Sequence, residues 1–203
     1  MAGVACVGIM WAVLSLLAAL AAASGFLLPY WLQSSHPHQP VYLGTFRRCN
    51  YPRQAADGEV LVVTECGRYT HFTDIPSLYW QLTTITVGTG SALALLVALT
   101  GVVATCVRGV LTHATARLAA ILQVCAGALV CGGVAVYPLG WGDREVQQVC
   151  GETAAPFEPG TCRVWWGLYL TGVAGVVNTL CAVLTCCAPH KPRYHSPPDF
   201  NSE

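Results

Sequence analysis

Charge is what this sequence has least of. Its 203 residues hold ten Lys and Arg against ten Asp and Glu, so charged residues make up 10% of the chain, where a soluble domain carries about 25%. A soluble protein of this size would struggle to cover its surface with so few. The net charge of zero removes the basic surface that phosphates require, so no nucleic-acid partner is expected. The chain has no Asn-x-Ser/Thr sequon, so N-glycosylation is not expected. Nor does it show a Ser/His/Asp grouping, a phosphate-cradling loop or paired carboxylates, so no enzyme and no cofactor is expected. His36-Pro37-His38 has neither carboxylate nor Cys beside it and reads as a loop tip rather than a metal site.

The charges that exist are clumped. None falls in four runs, about 6–28, 82–107, 118–138 and 164–187. A membrane-spanning helix needs about 20 predominantly apolar residues, and each run meets that length. The fold class expected is therefore a membrane all-α bundle of four transmembrane helices, a single membrane domain over 1–187. Cleavage of the first run as a signal peptide would leave three spans. Ala21-Ala22-Ala23-Ser24-Gly25 resembles a cleavage site, but Met1–Val7 carries no charged side chain and the run is long enough to span. Spans without ionisable residues offer no charged pathway, which argues against ion-coupled transport. Gln123 and Asn178 are expected to bond across helices instead.

Orientation sets two rules against each other. The long loops, about 29–81 and 139–163, carry Arg47, Arg48, Arg53, Arg68, Arg144 and Arg163. The short loop and tail carry Arg108, Arg117, Lys191 and Arg193. A literal positive-inside count puts the long loops in the cytoplasm. The cysteines argue otherwise: of eleven, Cys49 and Cys66 share one long loop, and Cys150 and Cys162 share the other. Two local disulfides in an oxidising compartment fit this better than free thiols or a zinc site, because neither pair has C-x-x-C spacing. Both termini are therefore placed in the cytoplasm and both long loops outside. The tail 188–203, with four prolines, is expected to be disordered. Cys106, Cys186 and Cys187 lie at inner span ends and are candidates for palmitoylation.

Within the first loop, Val41–Phe46 and Val60–Thr64 are β-prone, with turn signals at Asn50-Tyr51-Pro52 and Asp57-Gly58. A small antiparallel sheet stapled by Cys49–Cys66 is expected. A helix capped by Thr73 or Asp74, with Pro76 in its first turn, should then run through Trp80 into the second span. Small residues recur every four positions at Thr86, Gly90, Ala94 and Ala98, and again at Gly167, Thr171, Gly175 and Thr179. Such ridges let helix backbones approach, either inside the bundle or against a partner's helix.

These residues carry a resemblance. Trp31, Leu43-Gly44-x-Phe46, Cys49 and Cys66 resemble the W…GLW…C…C signature of the claudin-like four-span superfamily, with Phe46 in place of its second Trp. The chain resembles the lipoma HMGIC fusion partner-like (LHFP-like) tetraspan family more closely. The matching blocks are 26–31, 45–52, 65–69, 75–77, 137–141, Cys150-Gly151 and 160–162, within a likeness running from residue 8 to about 187. The resemblance implies four transmembrane helices under an extracellular sheet. It also implies an auxiliary subunit that joins a larger channel, receptor or adhesion complex and supports its assembly and surface delivery, at the plasma membrane. Exposed aromatics such as Tyr42, Tyr51, Phe72 and Tyr79 are contact candidates unless the loop fold absorbs them. The alternative is a claudin-like junction protein that self-associates, with homo-oligomers in the bilayer.

Overall fold

A computed structural model describes residues 2–35, 39–54, 60–107 and 112–187. Four long helices form its body: α1 (Ala2–Leu27), α2 (Leu78–Cys106), α3 (His113–Val136) and α5 (Trp166–Cys187). Each contains a stretch long and apolar enough to cross a membrane. Between α3 and α5 lie a 3-10 segment (Tyr137–Gly142) and the short α4 (Arg144–Cys150). Five strands complete the fold: β1 (Leu32–Gln33), β2 (Tyr42–Leu43), β3 (Arg47–Gln54), β4 (Val60–Arg68) and β5 (Arg163–Val164).

The long helices pack in a ring, α1 on α2, α2 on α3, α3 on α5 and α5 back on α1. Their exterior is apolar: Leu17, Ile85, Leu99, Ile121, Val173 and Leu180 all point outward and are exposed. Ser15, Thr83, Ser91, Gln123, Thr171 and Asn178 are buried inside. Lipid suits the apolar exterior, and Ser15, Thr83, Gln123 and Thr171 find hydrogen-bond partners inside, whereas Ser91 Oγ and the Asn178 amide find none among the described residues.

Both small-residue ridges face inward. A Cβ added at Gly90 would stand 2.9 Å from the Ala126 carbonyl oxygen, and one at Gly175 would stand 2.7 Å from Cys131 Sγ. Ala94 and Ala98 pack with Ala19 and Ala126. Thr171 fills the space beside Gly25, and Gly167 closes on the Tyr30 backbone. Gly90, Ala94, Ala98, Gly167, Thr171 and Gly175 are buried inside the bundle, while Thr179 at the end of the second ridge is exposed. Close approach of this kind lets dispersion hold the helices together where lipid removes the hydrophobic drive.

The sheet runs in the order β4-β3-β2-β1-β5, antiparallel throughout. It is larger than the first loop alone provides, because Leu32 pairs with Val164 and Gln33 with Arg163. Both long loops thus build one head on one side of the bundle. Asn50-Tyr51-Pro52 is not a turn but part of β3. The register slips there, between Cys49 and Tyr51, and Asn50 takes a φ of 56°. Pro52 is tolerated because, among the described residues, β2 pairs with Arg48 and Cys49 and leaves the rest of that edge of β3 without a ladder partner.

The helix that leads into the second span starts later than the expected cap at Thr73 or Asp74. Phe72–Asp74 forms a separate 3-10 turn, and Ser77 caps α2 by accepting from the Trp80 N–H at 3.2 Å. Proline at 76 disfavours helical backbone in the residue before it, and Ile75 is extended. Thr112 caps α3 and Asp143 caps α4. The Asp57-Gly58 turn, His36-Pro37-His38 and the tail 188–203 lie outside the described residues.

Candidate interaction head

The head is built on an aromatic column at the mouth of the bundle. Trp31, Trp80, Tyr137 and Trp141 are buried there. Tyr137 stacks on Trp80 at 4.9 Å and meets Trp31 edge-on at 4.8 Å. Two of the indoles are bonded, Trp31 Nε1 donating to the Gly25 carbonyl at 2.7 Å and Trp80 Nε1 to that of Tyr137 at 3.2 Å, while Trp141 Nε1 has no partner among the described residues. Aromatic rings supply large apolar area and still need partners for their polar atoms when buried. Trp31 therefore fixes the end of α1 to the sheet, and its own N–H donates to the Leu43 carbonyl at 3.2 Å.

The other signature residues share this work. Leu43 is almost fully buried. Gly44 allows contact with the end of α1, since a Cβ there would lie 2.8 Å from Pro29 Cα. Phe46 packs on Phe26, with ring centroids 4.8 Å apart. Cys49 is bonded to Cys66 across β3 and β4, and Cys150 to Cys162 across the second loop.

A charged lock joins the two loops. Arg48 on β3 forms an ion pair with Glu145 on α4. Its guanidinium lies 4.0 Å from the centre of the Tyr51 ring and 4.6 Å from that of Tyr69. Tyr69 donates its hydroxyl to the same Glu145 carboxylate at 2.9 Å. Burial, and then the Glu145 charge, push the Tyr69 phenol well above its ordinary range. Tyr51 is thus absorbed by the loop fold, and Tyr42 packs edge-on against Tyr30. Phe72 and Tyr79 remain exposed.

Sequence reasoning missed two parts of this arrangement. The Arg48–Glu145 contact joins residues far apart in the chain, with no spacing to announce it. The other is Phe157, 61% exposed with a φ of 66°. Left-handed backbone in a bulky residue is a genuine outlier. Its N–H donates to the Pro138 carbonyl at 3.1 Å, and Ala155 pairs with Glu158 around it. The neighbouring Glu158-Pro159-Gly160 turn signal was the available clue to a displayed tip. At the opposite end of the molecule Cys106 is exposed, while the side chains of Cys186 and Cys187 lie outside the described ones.

Residues 7–189 match the family described as Lipoma HMGIC fusion partner-like protein. The chain belongs to that family. Among relatives in this family, the chain is 30% identical over 204 residues to the LHFPL tetraspan subfamily member 2 protein of Homo sapiens, covering 91% of this chain and 88% of that one. It is 29% identical over 203 residues to the member 2a protein of Danio rerio, with the same coverage. Against the member 3 protein of Xenopus laevis it is 26% identical over 176 residues, covering 86% of this chain and 76% of the relative. The four apolar helices and the tetraspan relatives together make this a multi-pass membrane protein with a claudin-like four-span fold.

Proposed function

We infer that this LHFP-like protein is a non-enzymatic accessory subunit that binds a larger integral membrane protein, a channel, receptor or adhesion molecule, through its head. The observation that carries this reading is Phe157, a large apolar side chain displayed on a turn inside the Cys150–Cys162 staple. A rigid exposed aromatic loses little side-chain entropy on contact, which suits it to anchor an interface. The head adds preorganisation, since two disulfides, the aromatic column and the Arg48–Glu145 pair hold its loops before any partner arrives. Disulfides need an oxidising compartment, which supports a head outside the plasma membrane and both termini in the cytoplasm.

Crosslinking in native tissue, affinity purification and mass spectrometry test the reading. Recovery of one stoichiometric channel, receptor or adhesion protein is expected. Repeated recovery of this chain alone would contradict it, as would strand formation at borders between adhesion-lacking cells expressing it, the behaviour of a self-associating junction protein.

A further inference from the structure

Where the head meets α1 and α2, an open cleft of about 430 Å³ is lined by Phe26, Phe46, Arg68, Tyr69, His71 and Thr84, among others. That volume lies within the range of small-molecule sites. Its floor is apolar. The Phe26 ring reaches across to α2, where a Cβ at Gly88 would come within 2.9 Å of it, and its other side meets Phe46. The Thr84 hydroxyl faces this floor already bonded to the carbonyls of Trp80 and Thr45, at 2.8 and 3.2 Å. Thr84 lies six residues into α2, about 9 Å below its start at 1.5 Å per residue. Exposed Leu82 and Ile85 flank it, so the floor lies within the apolar exterior of the bundle.

The roof is cationic. In the β3–β4 ladder Arg47 stands directly opposite Arg68, an arrangement that destabilises a sheet when both residues carry the same charge. Arg47 donates to the Leu27 carbonyl at the end of α1, at 3.1 Å. The Arg68 side chain makes no hydrogen bond or ion pair among the described residues. Asp74, which lies in the chain between the lining residues Phe72 and Ile75, accepts the His71 N–H at 2.8 Å.

A lining arginine, Arg68, with Arg47 opposite it in the ladder, stands above an apolar slot at the level of the bilayer edge, which is the order of groups in a phospholipid. We propose that the cleft holds one phospholipid of the head-side leaflet, its phosphate at Arg68 and Arg47 and one acyl chain over Phe46 and Phe26 toward Thr84. Arginine suits the phosphate because its planar fork makes paired, charge-assisted hydrogen bonds. A partner's transmembrane helix would need a long apolar track, whereas this slot closes at Phe26 and Gly88.

The full chain in nanodiscs containing phosphatidylcholine with a photoreactive acyl chain tests this. Label should concentrate on peptides holding Phe26, Phe46 and Thr84, and native mass spectrometry should show one phospholipid retained after detergent extraction. Arg68→Gln should lower retention about tenfold or more, the scale of a lost hydrogen bond to a charged group. Thr84→Trp, which fills the floor, should remove label from Phe46. Peptide maps and melting curves matching wild type establish that each variant is folded. Even labelling of all outward helix faces, or retention unchanged in both folded variants, would overturn the proposal. So would crosslinks in cells from this cleft to another protein instead of lipid.

Discussion

Gln123 and Asn178 are both fully buried, yet they differ in what surrounds them. Gln123 donates to Ser15 at 2.8 Å and accepts from Trp11 and Thr185, each at 3.3 Å. It ties three helices together, as the sequence led one to expect. Neither Asn178 Oδ1 nor Nδ2 finds a partner among the described residues, which corrects the same expectation for that residue. Composition shows that a polar residue lies in a span but not which neighbours reach it. Gln123→Leu should therefore destabilise the bundle by about 1–3 kcal/mol by stranding buried donors. Asn178→Leu, of similar size, should cost less or stabilise, because it removes unpaired polar atoms. Unfolding in detergent checks the order, and the reverse ranking would contradict the contacts described. Tyr69 makes a second prediction. Its folded-state pKa is raised above the ordinary 10.0, so its contribution is full below the unfolded pKa, near 10, and falls as pH rises beyond it. Tyr69→Phe should flatten that alkaline decline in a pH series of melting curves.

Elements were legible where one local signal dominated. The four spans follow from uncharged runs, and each has a helix in the structure ending within about five residues of the expected bounds. Starts and turns were less legible because two local signals compete. Asp74 and Ser77 are both good caps; Pro76 keeps Ile75 extended, and packing favours Ser77, because Gly140 sits against Ser77 and Trp80, where an added Cβ would meet Ser77 Oγ and Trp80 Cδ1 at 2.5 Å. Asn50-Tyr51-Pro52 correctly marks an irregularity, but the long-range pairing of β3 with β4 turns it into a register slip. Ser77→Ala should cost about 1 kcal/mol, the worth of a helix cap, read as a lowered unfolding midpoint. Gly140→Val should do far more by forcing Trp80 from the aromatic column, visible as lost surface delivery. Normal delivery of that variant would show that the close approach is dispensable.

At the scale of the molecule, the distribution of charge was the most informative feature of the sequence. It gave the membrane bundle, whose four uncharged runs hold no Asp, Glu, Lys, Arg or His. The sequence did not reveal that the two long loops make one head. That union rests on two-residue strands, on Trp165 N–H donating to the Trp31 carbonyl at 2.9 Å, and on the Arg48–Glu145 pair. All are long-range contacts without a local pattern. Glu145→Ala should loosen the head by stranding both Arg48 and the Tyr69 hydroxyl, and faster hydrogen exchange across β3 and α4 would register it.

The central claim is that a rigid, stapled head presents Phe157 to a larger membrane protein. Its most direct test compares wild type with Phe157→Ser, in native cells, by crosslinking and quantitative affinity purification at matched surface levels. Because Phe157 is exposed, the variant should fold and reach the surface normally, with both disulfides intact. The account predicts that wild type recovers one stoichiometric membrane partner and that the variant recovers it at least about tenfold less, the scale of a lost interface anchor. Equal recovery by both proteins, or recovery of no partner by wild type, would contradict it.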